Sequence, residues 1–424
     1  MTRRIPPLAS ERLTDGRAGV TSVCTAHPIV IEAALSLALR THRRVLIEAT
    51  CNQVNQEGGY TGMTPADFRR FVEGIAARIG LDPFQVILGG DHLGPNPWKH
   101  LAADQAMQRA KAMIAGYARA GFTKLHLDTS MGCAGEPAAL ADEVTAERAA
   151  ALAKVAEAAV GDGFSPIYII GTEVPVPGGA QHALDSLDVT RPEAALRTVD
   201  VHQKAFTDAG LEAAFARAIG VVVQPGVEFA STEVIPYKPE KAVRLVEALA
   251  SLPGFVFEAH STDYQPAASL GALVRDGFAI LKVGPWLTFA LREALYGLDC
   301  IARVLDPAST DGGLPAAMEA LMLKEPGNWR KYYQGGSDKL RLQRHFSFSD
   351  RIRYYWPHPE AQAAVDRLFA KLGDKEIPEP LISQYLGGVY PEVIAGSLSA
   401  RPRELVLGAV LQVLRQYDHA SGRN

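Results

Sequence analysis

Cysteine is scarce in this chain. Cys24, Cys51, Cys133 and Cys300 are the four in 424 residues, and no two form a C-x-x-C pair. A zinc ribbon or dithiol redox motif is therefore not expected, and scattered thiols in an enzyme-sized chain fit a reducing cytoplasm. Long apolar runs are missing too. No uncharged stretch approaches the ~20 residues of a membrane span, and the start, MTRRIPPLAS, has two arginines but no apolar core after them. Neither a signal peptide nor a twin-arginine signal is read there. There is no excess of basic charge: the net charge is −4. That argues against nucleic acid and leaves small molecules or proteins as partners. No G-x-G-x-x-G follows the first strand-like run, no G-x-x-x-x-G-K-[ST] loop occurs, and the protein-kinase motif set is absent. A nucleotide cofactor and a kinase reaction both lack their usual phosphate cradle.

What is present is apolar bulk and rhythm. Apolar residues make up 47% and charged residues 21%, enough for a sizeable core. From residue 20 to about 303, a short β-branched run, a polar turn and an Ala/Leu-rich helical stretch alternate. The runs are VTSVCTAH (20–27), RVLIEATCN (44–52), FQVILGGDH (84–92), KLHLDTS (124–130), PIYIIGTEV (166–174), GVVVQPG (220–226), FVFEAHS (255–261) and FAILKVG (278–284). Near-continuous apolar runs fit parallel strands covered on both faces. Eight such units in roughly 280 residues predict a (β/α)8 TIM barrel over 1–303, with an open doubly wound sheet as the competing fold. Residues 304–424 break the rhythm and read as a helical C-terminal extension packed on the barrel. Its aromatic clusters are NWRKYYQG (328–335) and DRIRYYWPHPE (350–360).

Barrel chemistry sits at the C-terminal strand ends. Those ends carry His27, Glu48 with Asn52, Asp91 with His92, Asp128, Glu173, Gln224 with Glu228, Glu258 with His260, and Lys282. Such groups are costly to bury without partners, so a ring of them marks a functional mouth. Individually each has a plainer reading: Asp128 as a helix cap, and His27 before Pro28 as capping or packing. Asp91-His92 is the strongest pair, because Gly89 and Gly90 before it permit close approach. Imidazole nitrogen with carboxylate oxygen suits a zinc-like divalent metal, with His92, His260 and Glu173 as ligands. Asp91 then reads as general base, with Glu48 beside it in the catalytic set. Lys282 offers Schiff-base chemistry, but a salt bridge to a ring carboxylate is the favoured reading. Asn52, Asp128 and Gln224 are candidates for sugar hydroxyls. An anion is expected in the last two loops, at Ser261, Thr262 and the amides near Gly284. Arg341, Arg344, Arg351 and Arg353 form a basic set that either closes over a phosphate, with Arg351 taken as the contact, or is a solvated face.

The stretches IEATCNQVNQEGGYTGMTPADF, GGDHLGPNPWKHL, LKVGPWLTFALREAL and FSFSDRIRYYWPHPE resemble the GatZ/KbaZ-type subunit of D-tagatose-1,6-bisphosphate aldolase over nearly the whole chain. The resemblance implies a protein of galactitol and N-acetylgalactosamine catabolism. It also implies a stabilising, non-catalytic role beside a class II aldolase subunit that carries the zinc chemistry. Some such chains bear the label tagatose 6-phosphate kinase, and some relatives look like metal-dependent ketose epimerases. Compared with the class II catalytic pattern, this chain keeps Asp91-His92 and His260. It has Gln224 for the strand-six His, HSTD for the glycine-rich turn and KVGPW for the Asn-x-Asp-Thr pattern. The leading expectation is thus the accessory subunit. The alternative is a metal-dependent aldolase or epimerase acting itself on ketoses or ketose phosphates. A homo-oligomer is a further expectation.

Overall fold

The computed structural model describes residues 18–160, 165–172, 187–308 and 312–422. Eight parallel strands close into a barrel. They are β1 (Val20–Cys24), β2 (Val45–Thr50), β3 (Val86–Leu93), β4 (Lys124–Leu127), β5 (Ile167–Ile170), β6 (Ala218–Val223), β9 (Val256–Ala259) and β10 (Ile280–Val283). Neighbours around the barrel run β1-β2-β3-β4-β5-β6-β9-β10 and back to β1. Every expected run supplies one of these strands. The remaining pair, β7 (Glu228–Phe229) and β8 (Val234–Ile235), is a small antiparallel hairpin after β6. At two residues per strand it is too short for any periodicity to betray it.

Strands buried on both faces need apolar side chains outward toward helices and inward toward the barrel axis. The outward set packs on helices such as Pro28–Thr41 and Pro65–Ile79. Thr64 and Asp67 start the second of these with a reciprocal capping box, and His27 caps the first through Nδ1, 3.3 Å from the amide of Ile29. The inward set is apolar only in the lower half. Val20, Leu46, Ile87, Ile167, Val256 and Ile280 plug the barrel at its N-terminal end. Above that plug the inward positions turn polar, and this layer becomes the floor of the site.

The chain beyond the eighth strand takes part in the barrel wall. Helix Pro285–Leu305 leads into the aromatic segment, where Trp329, Tyr333, Tyr355 and Trp356 are buried. Helix Pro402–Ala420 then returns to pack against helices Pro28–Thr41 and Ala267–Arg275. Tyr417 donates its hydroxyl to the Thr262 carbonyl at 2.6 Å, Arg43 pairs with Asp418 at 3.1 Å, and the Gly19 amide donates to the Ser421 carbonyl at 3.0 Å. The last helix therefore ties the first strand to the seventh barrel strand's loop. No described helix is long and apolar enough to cross a membrane.

His202 lies fully buried in helix Pro192–Asp208, its Nδ1–H donating to the Thr198 carbonyl at 2.7 Å. Burial pushes its pKa down from 6.5 to about 4. The unfolded chain takes up this proton near pH 6.5, the folded chain only near 4. This contribution to stability is therefore whole above pH 6.5 and is lost as pH falls through that window, by about 3 kcal/mol. Thermal melts at pH 7 and 4.5 check this: His202→Gln should lose less of its melting temperature on acidification than the wild type.

Candidate active site

The polar floor is built from charges that neutralise one another. Lys124, wholly buried, places Nζ 2.7 Å from Glu48 Oε1 and 2.7 Å from Glu258 Oε2. Lys282 pairs with Glu48 and, at 2.6 Å, with Asp91 Oδ1. Gly89 makes this layer possible. A Cβ there would lie 2.4 Å from Glu48 Oε1, so the space that glycine leaves is filled by a carboxylate of the protein itself.

Three imidazoles stand above the floor. Successive strand residues point to opposite faces, so Asp91 and His92 should not both enter the barrel. A bulge in β3 solves this. Gly90 pairs with Leu125 and Leu93 with Leu127, which puts one extra residue in β3. His92 adopts a left-handed φ of 50° at that point, and bulges of this kind re-aim side chains. His126 arrives from the interior of β4 and His260 from the end of β9. The ring centroids form a near-equilateral triangle: 5.0 Å for His92–His126, 4.9 Å for His92–His260 and 5.2 Å for His126–His260.

Each imidazole leans on its own carboxylate through one nitrogen. His92 Nδ1 lies 2.7 Å from Asp128 Oδ2, His126 Nδ1 2.9 Å from Asp91 Oδ1, and His260 Nε2 2.9 Å from Glu258 Oε1. Asp128 is fixed in turn by the Ser130 hydroxyl at 2.9 Å. That leaves one nitrogen per ring for another partner, and His126 Nε2 is buried with no hydrogen bond at all. Carboxylate-oriented histidines of this kind are how proteins present imidazole to a metal. One ligand atom from each of His92, His126, His260 and Asp91 lies within 4.8 Å of all the others.

The electrostatics ask for the same thing. Among the described residues, the buried carboxylates of this layer and the triad are Glu48, Asp91, Asp128 and Glu258, and the buried ammoniums are Lys124 and Lys282; Asp128 pairs with His92 and not with a lysine. With neutral imidazoles, four negative charges meet two positive ones, an excess that a divalent cation would balance. Burial alone would lower His92, yet Asp91 and Asp128 outweigh it and hold His92 above its ordinary value. The site draws positive charge to that point. Burial lowers His260 to about 4, which keeps it neutral as a ligand must be. Burial alone would raise Asp91, but His92 and Lys282 hold it well below the usual carboxylate range. Lys282 is held well above its ordinary value, its burial outweighed by Asp91 and the other anions around it. A permanently charged Nζ is a poor Schiff-base nucleophile, and the salt-bridge reading of Lys282 is the one the geometry displays.

The pocket over the triad is lined by Asn52, Gln53, Tyr60, Ser261, Asp263, Lys282, Arg353 and Tyr354 together with Asp91, His92 and His260. Of the residues expected at the site, Asn52, Asp91, His92, His260, Ser261 and Lys282 thus meet. Glu48 lies beneath them, in the ion layer, and Asp128 stands behind His92. Three others have different duties. Gln224 Oε1 accepts from the amides of Gly226 and Val227 at 2.8 and 3.0 Å and shapes a turn. Thr262 donates its hydroxyl to the Lys282 carbonyl at 2.6 Å. Arg351 donates to the Asn328 carbonyl and stacks 3.3 Å over the Tyr332 ring, turned from the pocket that Arg353 lines. Glu173 falls outside the described residues. The amide of Gly284, expected to greet an anion, instead donates to Asp263 Oδ1 at 3.0 Å, as does that of Trp286 at 2.8 Å.

His126, Asp263, Tyr60 and Lys124 escaped sequence reasoning that looked only at strand ends. The signal for two of them was there: Lys124, His126 and Asp128 alternate in KLHLD and so share the inward face of one strand.

The sequence model for the D-tagatose-1,6-bisphosphate aldolase subunit GatZ/KbaZ-like family matches residues 6–422. A protein of Agrobacterium fabrum (strain C58) named D-tagatose 6-phosphate 4-epimerase is 54% identical, over 100% of this chain and 99% of its own. A crystal structure from Sinorhizobium meliloti 1021, described as a probable tagatose 6 phosphate kinase, superposes with a TM-score of 0.89 at 59% identity, over 95% of this chain and 100% of that one. A fructuronate–tagaturonate epimerase from Cohnella laeviribosi shares the fold alone, with a TM-score of 0.51 at 12% identity over 96% of this chain and 82% of its own. With a match across nearly its whole length and relatives more than half identical to it from end to end, this chain belongs to the GatZ/KbaZ-like family.

Proposed function

We propose that this chain is an enzyme in its own right, a metal-dependent epimerase that inverts C4 of a ketose 6-phosphate and interconverts D-tagatose 6-phosphate and D-fructose 6-phosphate. The observation that carries this reading is the buried triad of His92, His126 and His260, each ring oriented by its own carboxylate. A purely stabilising subunit has no use for such a constellation. The name of the Agrobacterium relative supports the same substrate.

The C4 hydrogen of a 2-ketose is not acidified by the C2 carbonyl, whereas the C3–C4 bond is set up for retro-aldol cleavage. Loss of the O4 proton breaks that bond. The electron pair passes into the C2–C3 enolate, and C4 becomes an aldehyde. Rotation of the aldehyde and re-addition to C3 returns the bond with inverted C4, and the proton goes back to O4. A divalent ion held by His92, His126, His260 and Asp91 would polarise the carbonyl and hydroxyl oxygens of the sugar. Asp91, held strongly ionised, suits a ligand better than the proton acceptor expected of it. Asp263 suits the acceptor role. It lines the pocket, and burial raises its carboxyl to about 6 despite the amides of Trp286 and Gly284, near the optimum for a base at neutral pH. Lys282 supplies fixed positive charge toward developing oxyanions. Asn52 and Gln53 are placed to orient hydroxyls.

The family description favours a second reading, an accessory subunit of a class II bisphosphate aldolase. The two separate in one assay. Purified chain loaded with a divalent metal should convert tagatose 6-phosphate to fructose 6-phosphate by NMR and stop on chelation. No conversion, with a raised activity or lifetime of an added class II subunit, would replace the first reading by the second. A kinase is not proposed, since the sequence has no phosphate-cradling loop for a nucleotide.

Calorimetric titration should find about one divalent ion per chain. His126→Ala should abolish binding, while Asp128→Asn should weaken it about 10–100-fold through a misoriented His92. Unchanged stoichiometry in His126→Ala would remove the metal from the site. Asp263→Asn should lower kcat by about 10²–10⁴. The wild-type kcat should rise with pH through about 6 as Asp263 ionises, and the variant should lack that limb.

A further inference from the structure

A sugar phosphate needs a partner for its anionic end, and the place where barrels usually hold one is taken. The amides at the start of helix Pro285–Leu305 donate to Asp263, whose carboxylate would repel a second anion. The pocket has another cationic group. Tyr60 and Arg353 line both the triad pocket and an adjoining cavity of about 650 Å³, and Tyr354 lines the triad pocket beside them.

Arg353 has no carboxylate within ion-pair distance among the described residues, unlike Arg344, which pairs with Glu319. Its donors go to neutral acceptors. Nη1 donates to the carbonyls of Ser349 and, at 3.0 Å, Asp350, and Nη2 to the Tyr354 hydroxyl at 3.0 Å. The guanidinium is therefore fixed in place but not neutralised. The turn that aims it is itself braced. Asp350 adopts a left-handed φ of 44°, a costly conformation for a non-glycine residue that persists only when its surroundings enforce it. Its carboxylate accepts from the Thr288 hydroxyl at 2.6 Å and faces Arg292 at 3.8 Å. Tyr60 stands edge-on to Tyr354, centroids 4.8 Å apart, so the second tyrosine is fixed as well.

We infer that Arg353, flanked by Tyr60 and Tyr354, anchors the anionic end group of the substrate, a phosphomonoester, and so sets the preference for charged over neutral sugars. The sugar itself rests on the function proposed above; the anion site does not. A planar guanidinium with free positive charge takes phosphate or carboxylate oxygens, so the source of the anion is a separate question that the test resolves.

The experiment is calorimetry and thermal shift of the full chain with inorganic phosphate, tagatose 6-phosphate, tagaturonate and tagatose. The wild type should bind tagatose 6-phosphate at least about tenfold more tightly than tagatose, the scale of one charge-assisted contact. Arg353→Gln should lose that preference and the thermal shift by phosphate, and Arg353→Lys should keep part of both. Should Arg353→Gln fail to fold, Arg353→Lys and Tyr60→Phe carry the test, each with a several-fold loss confined to the anionic ligands. Tighter binding of tagaturonate than of tagatose 6-phosphate, lost in the same variants, would keep the anchor and make its ligand a carboxylate. A wild type that binds tagatose as tightly as its phosphate, or variants that bind the phosphate as the wild type does, would overturn the inference. Missing epimerase activity with an intact, Arg353-dependent anion preference would count against the proposed reaction and leave the anchor standing.

Discussion

Two lysine ammoniums buried inside the barrel make the rest of the site possible. Four carboxylates could not share that interior without them, because each unpaired buried charge costs several kcal/mol. Lys124 bridges Glu48 and Glu258, and Lys282 bridges Glu48 and Asp91. Glu258 and Asp91 then have a second oxygen or lone pair for His260 and His126. The ion layer is thus both a plug and a jig. It fills the upper barrel where side chains must pack, and it fixes two of the three carboxylates that orient the imidazoles, Asp91 and Glu258.

The arrangement leaves an imbalance by construction. Every carboxylate is engaged and every histidine is oriented, yet the buried carboxylates outnumber the buried ammoniums and the His126 Nε2 nitrogen lacks a partner. Native interiors seldom leave buried polar atoms without a partner unless the site serves function. The proposed retro-aldol route would give the imbalance a purpose, and it would link a family described by an aldolase subunit to a relative named an epimerase. Both reactions break the same carbon–carbon bond and differ in whether the fragments rejoin before they leave.

The segment after the eighth strand belongs to this machinery in two places. Its last helix packs on the barrel wall and reaches Thr262 through Tyr417. Its braced turn at Asp350 carries Arg353 and Tyr354 to the mouth of the pocket. A site assembled from strand ends and from a loop far along the chain closes one side of the pocket with residues that no barrel repeat supplies.

The barrel was legible because its cause is local. Eight apolar runs with helical stretches between them have few ways to bury both faces, so alternation narrows the architecture to a barrel or an open doubly wound sheet, and the count of eight favours the barrel. Asp91, His92 and His260 were legible for a similar reason, since ionisable residues that end buried strands need an explanation. His126 and Lys124 were hidden although their alternation was visible, because a strand interior reads as core until the axial layer is known to be polar. The roles of Thr262, Gln224 and Arg351 could not be read at all. A hydroxyl, an amide and a guanidinium each suit a substrate or a backbone carbonyl equally well, and only the tertiary structure brings Lys282, Gly226 and Asn328 within reach. The β3 bulge is of the same kind. That Asp91 and His92 both face inward is decided by a one-residue register shift against β4, a property of two strands together that neither strand's sequence contains.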